Sequence, residues 1–198
     1  DVVFPLVTRE LFELSTHKQK FLKKGIKVIV SDKDALFLAN NKGSLYSHLK
    51  DNKIQVPEFY IVDDKAELVK AVIKLNYGQV PVVIKPCVGN GSRGIRVLDG
   101  TADRFNLLFN QKPSSIFSTL EEVITSIGDK KIPRMVVSEY LPGDELTIDT
   151  IVNNGRLVDC LIRTRASMNN GISTAGKFVD NKEIYEYVKS IVSSIPML

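Results

Sequence analysis

The 198-residue sequence has two cysteines, two histidines and no apolar run near the roughly 20 residues that cross a bilayer. Each scarcity excludes something. Without such a run no membrane-spanning helix is expected. The first residues, Asp1 to Pro5, lack the basic start and apolar core of a secretory signal. Cys87 and Cys160 both lie in apolar, strand-like runs, and two such thiols read as free groups in a reducing compartment, the cytoplasm. His17 and His48 stand singly on predicted helices, with no Ser-His-Asp order and no metal-ligand spacing around them. The net charge of +4 comes from scattered lysines, whereas a nucleic-acid groove wants clustered Lys and Arg with aromatics between them. Neither nucleic acid nor membrane is an expected partner, and oligomeric state is unreadable.

What is present is ordinary globular material: 43% hydrophobic and 25% charged residues, enough for one large domain or two small ones. Val2 to Phe4 reads as a strand end, Arg9 to Lys24 as a helix stopped by Gly25, and Lys27 to Val30 as a short strand. Helices follow over Asp32 to Ala39 and Lys42 to Lys50. Phe59 to Val62 is a strand, and Asp63 or Asp64 caps a helix to Leu75. Further helices are expected over Thr101 to Asn110, Leu120 to Ile127 and Asn181 to Ile195, with a loop at Gln111 to Ser118. Met135 to Tyr140, Glu145 to Val152 and Arg156 to Arg165 read as strands, the last two joined by the Asn153-Asn-Gly turn. Ala166 to Thr174 reads as a polar loop. Helices beside mostly antiparallel hairpins give an α+β class.

Two stretches carry chemistry. The first is Val80 to Asp99, where a β-branched run ends at Lys85. A loop with Gly89, Asn90, Gly91, Ser92, Arg93 and Gly94 follows, then a second strand from Ile95. Glycines let backbone amides approach an anion closely, so a loop between paired strands can fold over a polyphosphate. It is not a Walker loop: no Gly-Lys-Ser/Thr follows and no helix opens there. The same lack of a helix excludes a Rossmann turn. The second stretch is Val136-Val-Ser-Glu-Tyr-Leu-Pro-Gly-Asp-Glu-Leu-Thr-Ile-Asp149, in which Glu145, Thr147 and Asp149 share one strand face. Arg163 and Arg165 alternate in the same way on a later strand, a spacing suited to oxyanion binding.

The Pro-x-x-Ile-Lys-Pro strand, the Ser-Arg-Gly loop and the Glu-Tyr-Leu-x-Gly-x-Glu-Leu turn, in this order, resemble the ATP-grasp superfamily, in its carbamoyl-phosphate-synthase-like branch. Asn41-Lys42 and Ile54-Gln-Val-Pro57 extend the resemblance over nearly the whole chain. It implies an ATP-grasp fold of two lobes with antiparallel sheets and flanking helices. The implied division is residues 1–40 as the end of a pre-ATP-grasp α/β domain, 41–135 as the lobe with the lysine strand (its lid at about 80–135), and 136–198 as a second, incomplete lobe. It implies ATP as cofactor and a small carboxylate as partner. The activity implied is that of a carbon–nitrogen ligase working through an acyl phosphate. Lys42, Lys85 and the loop Gly89 to Gly94 would meet the phosphates, and Glu139, Tyr140 and Leu141 would form the hinge at the adenine edge. Glu145 would accept from the ribose hydroxyls. Arg163 and Arg165 would face the phosphate or the acyl phosphate, with Lys177 and Thr174 as weaker candidates. Ser138 departs from the glutamate that many relatives have before the hinge. No metal ligand is assigned, because the family's magnesium-binding Glu and Glu-x-Asn are expected beyond Leu198. Both ends therefore read as cut, and the alternative is a non-catalytic nucleotide-binding or structural module.

Overall fold

A computed structural model describes residues 1–89, 91–103, 105, 116–169 and 172–195, and the side chains of all of these except 167–169 and 172–174. In chain order the elements are β1 (Val2–Val3), α1 (Thr8–Leu22), β2 (Lys27–Val28), α2 (Lys33–Asn40), α3 (Lys42–Asp51), β3 (Phe59–Val62), α4 (Lys65–Lys74), β4 (Val82–Pro86), β5 (Arg96–Leu98), β6 (Phe117–Ser118), α5 (Leu120–Ile127), β7 (Met135–Glu139), β8 (Leu146–Asn153), β9 (Arg156–Thr164), β10 (Ser167–Asn169), β11 (Ile172–Ala175), β12 (Phe178–Val179) and α6 (Lys182–Ser194). They form two compact units, residues 55–143 and residues 1–54 with 144–198.

The 55–143 unit is a five-stranded sheet in the order β3-β7-β4-β5-β6, covered on one face by helices. Asp64 starts α4 by accepting from the Glu67 amide at 2.8 Å, while Glu67 accepts from the Asp63 amide at 2.9 Å. These two bonds satisfy donors that the first turn leaves open. Leu68, Ala71, Val72 and Leu75 then fall at helical spacing and are buried against Val62, Val82, Ile84, Leu98, Met135 and Val137. The α5 helix opens with a capping box, Thr119 with Glu122, and adds Leu120, Val123, Ile124 and Ile127 to the same core.

The other unit carries α1, α2 and α3, the parallel pair β1-β2, the sheet β12-β9-β8 and α6. Ser15 donates to the Ser31 carbonyl at 2.8 Å, and the Lys18 ammonium donates to the Val30 carbonyl at 2.8 Å, so α1 is tied to the segment after β2. Phe12 and Phe37 pair α1 with α2, their ring centroids 4.7 Å apart. His48 on α3 lies 2.8 Å from the Ser194 carbonyl at the end of α6. Asn154 and Gly155 both have positive φ, 50° and 73°, as the β8–β9 turn demands.

At Gly176 an added Cβ would overlap the Thr164 carbonyl oxygen. The neighbouring Lys177 amide donates to Thr164 Oγ1 at 2.9 Å, and the Thr164 amide donates to the Lys177 carbonyl at 2.9 Å. Gly176→Ala is therefore expected to push the chain entering β12 off β9. The cost should be about 1–3 kcal/mol, in the range of forced overpacking. Urea unfolding and amide exchange at Thr164 check this; unchanged stability with unchanged Thr164 protection would refute the close approach.

Three readings change. Residues 117–118, expected in a loop, form β6, which pairs in parallel with Val97–Leu98. Residues 166–174, expected as a loop, contain the antiparallel pair β10–β11, and the strand β12 was not expected at all. Polar composition hid the β10–β11 pairing. Strands of two or three residues carry too little pattern to read and owe their form to their neighbours. The helix expected over 101–110 falls largely outside the described residues.

Candidate functional site

In the 55–143 unit the sheet face away from α4 and α5 carries the sequence-predicted lysine. Register places Phe59, Ser138, Val83, Val97 and Phe117 in one row across all five strands. The next row is Ile61, Val136 and Lys85. The result is an apolar floor on which Lys85 is the charged group. Val136 and Ser138 are buried in it, and Lys85 is half-buried. Alternation fixes this: Val82 and Ile84 point to the core, so Val83 and Lys85 point the other way.

The loop after Lys85 begins with the Cys87 amide donating to the Arg134 carbonyl at 2.9 Å. Gly91, Ser92 and Gly94 all adopt left-handed φ, at 63°, 57° and 76°. A Cβ on Gly94 would come within 2.8 Å of Pro86 Cγ, so the loop returns tightly over the end of β4. Gly91, Ser92, Arg93 and Gly94 are exposed. Asn90 lies outside the described residues.

At the far end of β7, Glu139 is held twice by one residue. Its amide donates to the Glu58 carbonyl at 3.0 Å, and its carboxylate accepts from the Glu58 amide at 2.8 Å. Tyr60 donates its hydroxyl to the Glu58 carboxylate at 3.1 Å, which raises the Tyr60 pKa. Tyr140 and Leu141 follow, exposed, outside the sheet.

In the other unit, β8 and β9 and their ends carry further sequence-predicted site residues. Ile162 is buried and Leu161 half exposed, and α6 packs on β9, so the Ile162 face is the covered one. The opposite face carries Thr147, Asp149, Leu161 and Arg163. Arg163 donates from Nε and Nη2 to the Asp149 carboxylate at 2.9 and 2.6 Å, and Arg165 forms an ion pair with Glu145. Glu145, Arg163 and Arg165 are thus brought together, and Asp149 joins them. Asp149 was visible in the sequence as an acid on the same face as Glu145, but only strand register gave it a partner.

Lys42 opens the first turn of α3, capped by the Asn41 side chain, which accepts from the Ser44 amide at 3.0 Å. Lys177 is fixed through its backbone to Thr164, and Thr174 lies on β11. Asn181 caps α6 by accepting from the Ile184 amide, as expected. Among the described residues no three His, Cys, Asp or Glu side chains gather as a metal site. Cys87 and Cys160 are free thiols, and burial followed by the Asp159 charge raises the Cys160 pKa.

Residues 39–198 match the ATP-grasp domain family. The chain belongs to that family. No protein of curated function matches this ATP-grasp sequence. Among solved structures the fold resembles the biotin carboxylase–β,γ-ATP complex from Campylobacter jejuni, with a TM-score of 0.64, 18% identity, and coverage of 98% of this chain and 43% of that one. It also resembles the D-Ala:D-Ser ligase from Enterococcus faecalis (TM-score 0.61, 16% identity, 98% and 56% coverage). A third is the ATP-complexed D-alanine–D-alanine ligase from Bacillus anthracis (TM-score 0.57, 16% identity, 98% and 57% coverage). The chain spans about half the length of these structures. It has the ATP-grasp fold, and its class is α+β as the sequence implied. No helix among the described residues is long and apolar enough to cross a membrane.

Proposed function

We propose that this chain is the ATP-binding portion of an ATP-dependent carboxylate ligase of the carbamoyl-phosphate-synthase-like kind, forming an acyl phosphate that a nitrogen nucleophile then attacks. The observation that carries the reading is the floor of β3, β7, β4 and β5: an apolar face with a half-buried lysine, next to an exposed glycine-rich turn. An apolar floor suits a purine ring, and a lysine beside a glycine-rich turn suits a polyphosphate.

In this reading Lys85, Lys42 and the loop at Gly89 to Gly94 hold the phosphates. The Glu139 amide is committed to Glu58, so the hinge would meet the adenine edge through the groups beyond it, the Leu141 amide among them. Glu145 accepts from the ribose, and Arg163 and Arg165 bind the transferred phosphoryl oxygens. These groups position the nucleotide and stabilise charge as it builds on the γ-phosphoryl oxygens. Magnesium would supply neutralisation of the phosphate charge. The described residues do not fit it, because they offer no carboxylate cluster. The functional division at 40/41 and 135/136, with a lid at about 80–135, belongs to the same proposal, as does a cytoplasmic setting for the two free thiols.

Calorimetric titration with the β,γ-imido analogue of ATP tests the reading. Saturable binding that ADP competes for and double-stranded DNA does not is the expected result. Absence of nucleotide binding would end it.

A further inference from the structure

Arg163 occupies an unusual place for an exposed strand residue. Register sets it between Thr147 on β8 and Phe178 on β12, on the face away from α6. It does not pair straight across. Its guanidinium reaches diagonally to Asp149 and puts both Nε and Nη2 on the same carboxylate oxygen. Diagonal neighbours on a sheet are within reach of long side chains, so this geometry is open to Arg163 but not forced on it.

The pair is poorly explained as a source of stability. Its side chains are 38% and 56% exposed, and ion pairs at such exposure contribute little. It is also poorly explained as an anion site alone, since a carboxylate beside an arginine lowers the positive potential there. What two bonds to one edge of a guanidinium do provide is direction. They fix the plane of a side chain that otherwise turns about several bonds, and leave Nη1 outside the pair.

We propose that Asp149 is a positioning residue that orients Arg163 toward a phosphoryl or acyl-phosphate oxygen. This rests on the reading that the β8–β9 face meets the phosphate end of a nucleotide. It adds a residue to which that reading gave no role, and it predicts a specific pattern of coupling.

The experiment uses the full chain and two probes, the β,γ-imido analogue of ATP and adenosine. Asp149→Asn, Arg163→Ala and the double variant are titrated with each. Asp149→Asn is expected to weaken the analogue about tenfold, the effect of one oriented charged hydrogen bond, and to leave adenosine unchanged. In the Arg163→Ala background it should cause no further loss. Additive losses would overturn the inference. So would unchanged or tighter analogue binding by Asp149→Asn while Arg163→Ala still weakens it; the nucleotide-site reading would then survive. If the unaltered chain binds no analogue, the site reading fails and this inference falls with it. A measurement on the unaltered protein guards against a variant that folds poorly. The Nε–H proton of Arg163, assigned with Arg163→Lys, should be shifted downfield and protected from exchange. A resonance at the position of a free arginine would overturn the pairing.

Discussion

Lys85→Ala is expected to weaken binding of the ATP analogue by about 10- to 100-fold, the cost of removing one hydrogen-bonding charge from a phosphate. Lys85 sits inside a strand whose backbone pairs with Val136, so removing its side chain leaves the ladder in place. Its neighbours on the same face are Val83 and Val136, and it rises from an apolar floor. Truncation to alanine therefore deletes both packing and charge. Lys85→Met separates the two, because it keeps an unbranched apolar stem. It should reproduce the loss of affinity with little loss of stability. The salt dependence of analogue binding should fall in both variants, since one counter-charge to the phosphates is gone. Affinity unchanged in Lys85→Met would show that the floor is not a phosphate site. Glu145→Ala is the companion test in the other unit. It removes the proposed ribose acceptor and also releases Arg165, its ion-pair partner.

Leu68→Ala is expected to destabilise the 55–143 unit by about 2–5 kcal/mol, the cost of a large-to-small change in a packed core. Leu68 is fully buried on α4, among the residues that join that helix to β3, β4 and β7. Two effects oppose each other. Alanine is a slightly better helix former than leucine, but the difference is a few tenths of a kcal/mol, far below the cavity cost. Ile73 on the same helix is the control, being 63% exposed. Ile73→Ala should change stability by less than about 0.5 kcal/mol. Urea unfolding of both variants decides the matter, and equal midpoints would show that α4 does not pack as described. Because the floor that carries Lys85 is the reverse face of this sheet, Leu68→Ala should also weaken analogue binding as the unit loosens, whereas Ile73→Ala should not.

The legibility of the chain differed between kinds of feature. Helix α4 could be read because its signals are local: Asp64 and Glu67 for the start, and Leu68, Ala71, Val72 and Leu75 at 3.6-residue spacing. The same holds for the Asn153-Asn-Gly turn, whose positive-φ residues are written in the sequence. Strands β6 and β12 could not be read in that way. Each is two residues long, and each exists because a distant strand offers it hydrogen bonds: Val97–Leu98 to β6 and Ile162–Arg163 to β12. Such pairing is a property of the fold and leaves no mark at the residues themselves.

The candidate site divides along the same line. Residue type and order alone picked out the lysine strand, the glycine-rich loop, the Glu139–Glu145 turn and the two arginines, because each is a short run whose chemistry lies in its own residues. Those same runs placed the chain in its family. Tertiary structure decided what the runs are next to. It set Phe59, Val83, Val97 and Val136 around Lys85 as a floor, it committed Glu139 to Glu58, and it gave Arg163 to Asp149 rather than to the residue directly across from it. The reason is physical. Side-chain chemistry is carried by single residues, whereas the field and shape that a ligand meets are set by register, and register is fixed only when strands far apart in the chain come together.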